Sequence, residues 1–160
     1  MPHSHPTVGH VHLRMADLDS ALTYYRDVLG FTVTQRFGAT PAFLGAGGYP
    51  QHTGLNAWNS ASGTPPPRRG HAGFHHAAFL YPDRASPGAA IQRLSDASIA
   101  LEGAADHGVS EAAYLTDPDG NDVELCLGRA PEDWPRDADG GLAMVATPLD
   151  VNALLAEARS

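Results

Sequence analysis

The segment Val8-Gly9-His10-Val11-His12-Leu13 near the start of the chain recurs in the second half as Phe74-His75-His76-Ala77-Ala78-Phe79. Other positions repeat at the interval that separates His10 from His76: Asp17 with Asp83, Tyr25 with Ile91, Val28 with Leu94, and Val33 with Ile99. A solenoid array needs at least three copies of its repeat, and this period occurs only twice. The pattern therefore predicts a duplicated supersecondary unit.

Each copy begins with alternating apolar and polar residues, at 8–15 and 74–81, which predicts a strand. A helix follows in each copy. In the first copy, Asp17 or Asp19 would cap it, Gly30 would end it, and the buried stripe would be Leu18, Leu22, Tyr25 and Leu29. In the second copy, Ser86 would cap a helix with Pro87 at its first position, and the inward side chains would be Ala90, Ile91 and Leu94.

Three short strands complete each copy and are separated by glycine-rich or Asp-Pro-Asp-Gly turns. The predicted strands are Phe31–Phe37, Ala42–Ala46 and His52–Trp58 in the first copy, and Ile99–Gly103, Ala112–Thr116 and Asp122–Leu127 in the second. The fold class predicted from this order is α+β, with two βαβββ modules.

We expect a single domain over residues 1–160, in which module one spans 8–58 and module two spans 73–127. The Pro-rich, polar stretch 59–72 between them reads as a linker. Residues 128–160 form a C-terminal extension with a predicted helix from Pro148 to Ala158. That extension would close over the open side of the sheet or pack on a partner subunit.

Composition excludes several classes of protein. The chain has 160 residues, a net charge of −8 and ten basic side chains, all of them Arg. A nucleic-acid binder would show a basic patch, and a membrane protein would show a long apolar run, so neither is expected. With one cysteine, Cys126, no internal disulfide can form, which favours a reducing cytoplasmic location.

Three residues in strand-like stretches have the chemistry of metal ligands. His10 and His76 occupy equivalent positions in the two copies, and Glu124 lies between the apolar residues Val123 and Leu125. An inward-facing carboxylate in such a strand is costly unless it is paired or bound to a metal. Two imidazoles and one carboxylate are the ligand set of a mononuclear non-haem Fe(II) site that leaves positions open for substrate and O2.

The duplicated βαβββ unit, the opening histidines and the sequence Asp117-Pro118-Asp119-Gly120 ahead of Glu124 resemble the vicinal oxygen chelate superfamily. This superfamily includes glyoxalase I, bleomycin-binding proteins and type I extradiol dioxygenases. The resemblance covers about residues 8 to 135 and implies that the two modules form a curved, incomplete barrel around a metal.

Glyoxalase-type members generally use a fourth ligand, a carboxylate on the last strand of the first module. At the interval of the repeat the counterpart of Glu124 is Trp58, and the predicted strand His52–Trp58 has no Asp or Glu. The resemblance is therefore closer to single-domain extradiol dioxygenases, with Fe(II) as the metal and O2 as co-substrate. It implies catalytic roles for His52 as acid and base, and for His107 and Tyr114 as hydrogen-bonding partners of the substrate.

The expected substrate is a catechol, with a DOPA-like compound as one candidate, and the expected product is a ring-opened semialdehyde. His12, Asn56 and Trp58 would line the substrate pocket. The arginines that could bind a substrate carboxylate are Arg14, Arg36, Arg68 and Arg69, and their spacing does not choose among them. A homodimer is expected, with modules pairing within or between chains.

Two alternatives stay open on the sequence. A glyoxalase-type lyase or isomerase would use Ni(II) or Zn(II) and need no oxygen, but it lacks its fourth ligand here. A protein that sequesters an antibiotic would bind its ligand without a metal.

Overall fold

The computed structural model describes residues 8–39, 41–66, 70 and 72–159, which fall into two compact units, Met1–Pro66 and Pro67–Ser160. In each unit the chain follows the order βαβββ, and each unit has its own mixed sheet. The predicted α+β class and the duplicated βαβββ module are confirmed.

In the first unit the sheet has the order β1-β4-β3-β2, with β1 parallel to β4 and the other neighbours antiparallel. Between β1 and β2 lies helix α1, which continues into a π-helical segment. The elements are β1 (Val11–Arg14), α1 (Leu18–Leu22), the π-helical segment (Thr23–Val28), β2 (Thr32–Arg36), β3 (Ala42–Ala46) and β4 (Tyr49–Asn56).

The helical stretch formed by α1 and the π-helical segment begins and ends where the sequence predicts. The Asp17 carboxylate accepts the Ser20 amide at 2.9 Å, which satisfies one of the free N–H groups of the first turn. Gly30 follows the helical stretch with a φ of 90°, a conformation that a residue with a Cβ rarely adopts. All four residues predicted for the stripe are buried: Leu18, Leu22, Tyr25 and Leu29.

The second unit has the strand order β5-β8-β7-β6-β9, with β5 parallel to β8. Its last strand, β9, pairs antiparallel with β6 and belongs to the C-terminal extension. The elements of the repeated module are β5 (His76–Leu80), α2 (Ala85–Asp96), β6 (Gly103–Asp106), β7 (Ser110–Thr116) and β8 (Asp122–Gly128).

The predicted cap of the second helix is wrong. Ser86 lies inside α2, and its amide and hydroxyl both donate to the Asp83 carboxylate at 2.8 Å. These hydrogen bonds hold the pKa of Asp83 below its usual range. Asp83 therefore does in the second unit what Asp17, its counterpart in the repeat, does in the first.

The predicted strand Ile99–Gly103 is also wrong, because Ile99 belongs to the C-terminal cap of α2. Ser98 has a φ of 58°, and its amide donates to the Ser95 carbonyl while the Ile99 amide donates to the Leu94 carbonyl. This pair of bonds is a Schellman motif, which closes a helix. The strand consequently starts later than predicted, at Gly103.

The C-terminal extension packs on its own unit. It contains a 3₁₀ turn (Pro131–Asp133), β9 (Thr147–Pro148) and helix α3 (Val151–Glu157), which starts after the predicted Pro148. Leu154 of α3 is buried, and a Cβ on Gly88 of α2 would lie 2.2 Å from the Leu154 carbonyl oxygen. Helix α3 therefore lies against α2, and packing of the extension on a partner subunit stays a prediction.

Strand alternation gives each sheet one face under the helix and one face without it, which we call the open face. In the second unit Phe79, Val123 and Leu125 are buried. His76 and Glu124 have the opposite parity along their strands, and Tyr114 pairs with Glu124, so all three lie on the open face. The longest helix in the described part of the chain, α2, has 12 residues, and no described helix is long and apolar enough to cross a bilayer.

Candidate active site

His76 and Glu124 form the core of the candidate site in the second unit. In the parallel pairing of β5 and β8, His76 lies beside Asp122 and Ala78 beside Glu124, so both side chains extend from the same face. The His76 Nε2 atom is 3.1 Å from the Glu124 Oε2 atom. Glu124 is only 9% exposed, although it is a carboxylate. The sheet thus brings two of the three predicted metal ligands together.

This pair fits a shared metal ion. Two adjacent ligand atoms at about 2.1 Å from one transition-metal ion lie about 3.0 Å apart when the angle between them is near 90°. The observed separation of 3.1 Å between nitrogen and oxygen agrees with that value. A buried carboxylate paired with a half-buried imidazole is also the kind of acid that a cation stabilises. The donor set suits zinc, iron or nickel.

Tyr114 lies next to this pair. It is registered directly opposite Glu124 in the antiparallel pairing of β7 with β8, and its ring centre is 6.4 Å from that of His76. Burial raises the pKa of the Tyr114 hydroxyl, and the negative charge of Glu124 raises it further. The metal-free side chain is therefore a neutral phenol at neutral pH.

His107 is bonded directly to Tyr114. It follows β6, and its Nε2 atom lies 2.5 Å from the Tyr114 hydroxyl, while its Nδ1 atom lies 3.0 Å from the Val145 carbonyl oxygen. Their predicted bonds to a substrate stay a prediction, and the structure shows that the two residues are bonded to each other. No local sequence signal identifies Val145, because its contribution is a main-chain carbonyl.

Cys126 shares the open face with Glu124 by strand parity, and it pairs in register with Ala112 and Leu80. Burial raises the pKa of its thiol to about 11, and the charge of Glu124 adds to the effect. In the metal-free protein a thiol with so little thiolate is a poor nucleophile near neutral pH.

In the first unit, His10 and His12 lie at the start of β1. Their ring centres are 6.2 Å apart, and His10 is exposed just before the first residue of the strand. Burial and the neighbouring His10 lower the pKa of His12. The parallel register pairs Val11 with Thr53, so His10 and His52 both stand immediately before this pair.

His52 is held by the β3–β4 hairpin. Its Nδ1 atom accepts the Ala46 amide at 3.2 Å, and its ring lies 4.7 Å from the ring of Tyr49. Because Nδ1 is the acceptor, a neutral His52 carries its proton on Nε2. The hydroxyl of Tyr49 donates to the Gly9 carbonyl, which connects the hairpin to the residue before His10. Tyr49 was missed because the predicted strand began at His52.

The register corrects the position of the absent fourth ligand. In the first unit the first and last strands of the module pair Val11 with Thr53. In the second unit they pair His76 with Asp122. The chain between the two paired strands is therefore longer in the second unit. The counterpart of Glu124 is therefore Gly54, which pairs with His12, and not Trp58. A Cβ on Gly54 would lie 2.9 Å from three atoms of the His12 ring. His12 thus occupies the space that a side chain at position 54 would need.

The predicted substrate-pocket residues of the first unit lie together. The His12 ring centre is 5.8 Å from the rings of Phe43 and Trp58, and Trp58 is 60% exposed. Trp58 lies beyond the end of β4, where the Asn56 carboxamide accepts its amide at 3.2 Å and turns the chain. Asn56 is buried and shapes this turn.

The remaining candidates are placed as follows. Arg14 is exposed on β1, and Arg36 forms an ion pair with Asp19 at 3.4 Å. Arg68 and Arg69 lie outside the described residues. Among residues 8–39, 41–66, 70 and 72–159, no group of three or more His, Cys, Asp or Glu side chains is placed to hold a metal. His10 belongs to one unit and His76 with Glu124 to the other, so the complete triad stays a prediction.

The fold and the paired ligands define a class, and comparison with known proteins identifies the family. The model of the glyoxalase/bleomycin resistance protein/dioxygenase superfamily matches residues 7–125, so the chain belongs to this superfamily. A Bacillus subtilis protein named catechol-2,3-dioxygenase is 37% identical over 156 residues, which cover 98% of this chain and 53% of that protein. The chain thus spans about half the length of this curated relative.

Solved structures agree with the fold. A glyoxalase/dioxygenase from Nostoc punctiforme has a TM-score of 0.62 and 19% identity, covering 81% of this chain and 96% of its own. A lactoylglutathione lyase from Agrobacterium tumefaciens has a TM-score of 0.56 and 28% identity, covering 77% of this chain and 95% of its own.

Proposed function

We propose that the chain is an extradiol dioxygenase that opens the ring of a catechol with O2, using Fe(II) held by His10, His76 and Glu124. The observation that carries the proposal is the His76–Glu124 pair, 3.1 Å apart, in a chain whose counterpart position, Gly54, has no carboxylate. The identity to a protein named catechol-2,3-dioxygenase supports the same reaction.

The lack of a carboxylate at position 54 matters because the substrate and O2 both need positions on the metal. Gly54 has no side chain to take one of them, and the His12 ring fills the space that a side chain there would need. A bound Fe(II) would supply the Lewis acid that lowers the pKa of a catechol hydroxyl and the route for electrons from the catecholate to O2.

His52 would serve as the general acid in this proposal. Its Nδ1 atom is occupied by the Ala46 amide, so the neutral ring presents an N–H at Nε2. A neutral ring with its proton on Nε2 can donate that proton to the substrate, and Nε2 can accept a proton only after it has lost the one it carries. The geometry therefore favours proton donation by His52 over the abstraction of a catechol proton.

Tyr114 and His107 would contact the substrate as a bonded pair. Tyr114 pairs in register with Glu124 and is bonded to His107 at 2.5 Å, which supports a contact of this pair with a catechol oxygen if Glu124 holds the metal. His12 and Trp58 would offer an aromatic wall to the ring of the substrate. A DOPA-like catechol is one candidate substrate, and Arg14 is an exposed cation on the same strand as His12.

The test is reconstitution of the purified chain with Fe(II) under anaerobic conditions, followed by a panel of catechols and air. We expect uptake of one O2 for each ring-opened, visibly absorbing product. His76→Ala and Glu124→Ala should lose turnover and bind Fe(II) more weakly by at least about tenfold. His75→Ala is the matched control, because the His75 side chain is 84% exposed and its loss should leave both unchanged. No oxygen uptake with any catechol would refute the proposal.

A second candidate is a lyase or isomerase of the glyoxalase type, which the 28% identity to a lactoylglutathione lyase favours. Such an enzyme would turn over without oxygen when loaded with Ni(II) or Zn(II). Assay of hemithioacetal isomerisation under argon separates the two reactions, since the dioxygenase gives no product there.

A further inference from the structure

A segment of the C-terminal extension, outside the repeated modules, contacts His107. We call residues 135–148 the return segment. The Val145 amide donates to the His107 carbonyl at 3.1 Å, and the His107 Nδ1 atom lies 3.0 Å from the Val145 carbonyl. Shortly after, Thr147 pairs with Asp106 as the first residue of β9. The return segment therefore touches both the main chain and the ring of His107.

These contacts determine which nitrogen of His107 carries the proton. A carbonyl oxygen only accepts, so the bond to Val145 requires the proton on Nδ1. A neutral imidazole has one N–H, which leaves Nε2 as an acceptor. The Tyr114 hydroxyl, 2.5 Å away, must then donate its proton to Nε2. The lone pairs of the Tyr114 oxygen are left for another donor.

The turn that bears His107 is anchored on both sides. Asp106 accepts the Gly108 amide at 2.8 Å through one carboxylate oxygen and pairs with Arg129 at 2.6 Å through the other. Gly108 has a φ of 76°, and a Cβ there would lie 2.7 Å from Pro135 of the return segment. This close approach requires glycine and keeps the return segment against the turn.

We propose that the return segment is a positioning element of the open face. Its Val145 carbonyl holds His107 as the Nδ1-protonated tautomer, so that the Tyr114 oxygen accepts a hydrogen bond from a substrate hydroxyl instead of donating one. The first part of this inference concerns the protein alone. The part about the substrate rests on the proposed function, because it needs a hydroxyl-bearing ligand beside Tyr114.

The test of the tautomer uses ¹⁵N-histidine NMR of the full chain without metal or catechol, with His107 assigned by the loss of its signals in His107→Gln. We expect a directly bonded proton on Nδ1 and an unprotonated Nε2. Free neutral histidine prefers the proton on Nε2, so this result is not the default. A wild-type ring with its proton on Nε2 would overturn the inference.

Variants of the return segment test the cause. Val145→Pro removes the amide that donates to the His107 carbonyl and should give a mixture of tautomers, whereas the control Val145→Ala keeps both main-chain bonds and the wild-type tautomer. If Val145→Pro does not fold, replacement of Ala146 by lactic acid turns the Val145 carbonyl into a weaker ester acceptor with no change of side chain. An unchanged tautomer in the ester variant would contradict the positioning role.

Kinetics then test the link to the substrate. In an active enzyme, the variant that loses the tautomer should lower kcat about tenfold with little change in KM, because Tyr114 would be misdirected in the transition state. Unchanged kcat would overturn the catalytic part of the inference. An Nδ1-protonated His107 in a chain without dioxygenase activity would refute only the proposed function, so the two failures are distinguishable.

Discussion

Replacing Gly88 by Ala should destabilise the protein, although alanine is the better helix former. Gly88 lies within α2, where the usual gain from Gly to Ala is about 0.5–1 kcal/mol. The new Cβ, however, would lie 2.2 Å from the Leu154 oxygen, 2.9 Å from the Leu154 carbonyl carbon and 3.1 Å from the Ala158 Cβ. Two of these atoms belong to the backbone of α3 and cannot rotate away.

The cost follows from what α3 loses when it moves off α2. Leu154 is 2% exposed, and a fully buried leucine contributes about 1.5–3 kcal/mol relative to an exposed one. The ion pair of Arg84 with Glu157, 2.9 Å long and partly exposed, adds at most about 1 kcal/mol. After subtraction of the gain in helix propensity, Gly88→Ala should lower the free energy of unfolding by about 1–2 kcal/mol.

Urea unfolding followed by circular dichroism measures this change, and the thermal midpoint should fall by about 2–8 °C. Hydrogen exchange of the α3 amides should accelerate more than that of the β7 and β8 amides. The matched control is a chain ending at Asp150, in which α3 is absent and Gly88→Ala should stabilise by about 0.5–1 kcal/mol. Stabilisation of the full chain by Gly88→Ala would refute the packing of α3 on α2.

Three further predictions concern single groups. Gly54→Ala should destabilise the wild type more than it destabilises the His12→Ala variant, by about 1 kcal/mol, because only the wild type has an imidazole ring to displace. Equal effects in a double-mutant cycle would contradict the placement of His12. Thr53→Val should raise the free energy of unfolding by about 1 kcal/mol, because the buried Thr53 hydroxyl has no hydrogen-bond partner among the described residues. A lower free energy of unfolding in urea would show that the hydroxyl is hydrogen-bonded. Burial raises the pKa of Tyr81 from 10.0 to about 12, so the stability from its neutral phenol is complete below pH 10 and is lost as the pH rises towards 12. Ultraviolet titration should lose a tyrosine step near pH 12 when Tyr81 is replaced in Tyr81→Phe, and an unchanged titration curve would contradict this pKa.

The order of the elements was predictable because it depends on patterns that are local in the chain. Alternation predicts strands, and an acidic residue before an apolar stripe predicts the start of α1 at Asp17. The end of α2 was not predictable, because Ser98 takes the left-handed position that sequence reasoning expects of Gly or Asn. Because the cap around Ser98 includes Ile99, β6 begins at Gly103 and not at the predicted Ile99.

For the site, residue types carried most of the information. His76 and Glu124 were named from the repeat and their strand context, and Tyr114 and His107 from the family resemblance. The structure brings these four together on one unit. The counterpart of Glu124 was misplaced at Trp58, because a constant interval does not allow for the longer chain between the first and last strands of the second unit. The prediction that this strand supplies no carboxylate ligand is unaffected by the correction, since β4 (Tyr49–Asn56) contains no Asp or Glu.

The sequence by itself determined the duplicated βαβββ architecture and the chemical types of the candidate ligands, because periodicity and side-chain chemistry are properties of the residues. Only the tertiary structure decided which residues face one another. Strand register placed His12 over Gly54, the packing of α3 on α2 required Gly88, and the return of the chain at Val145 placed a carbonyl against His107. Main-chain groups are the same in every residue, so a contact made by the backbone leaves no mark in the sequence.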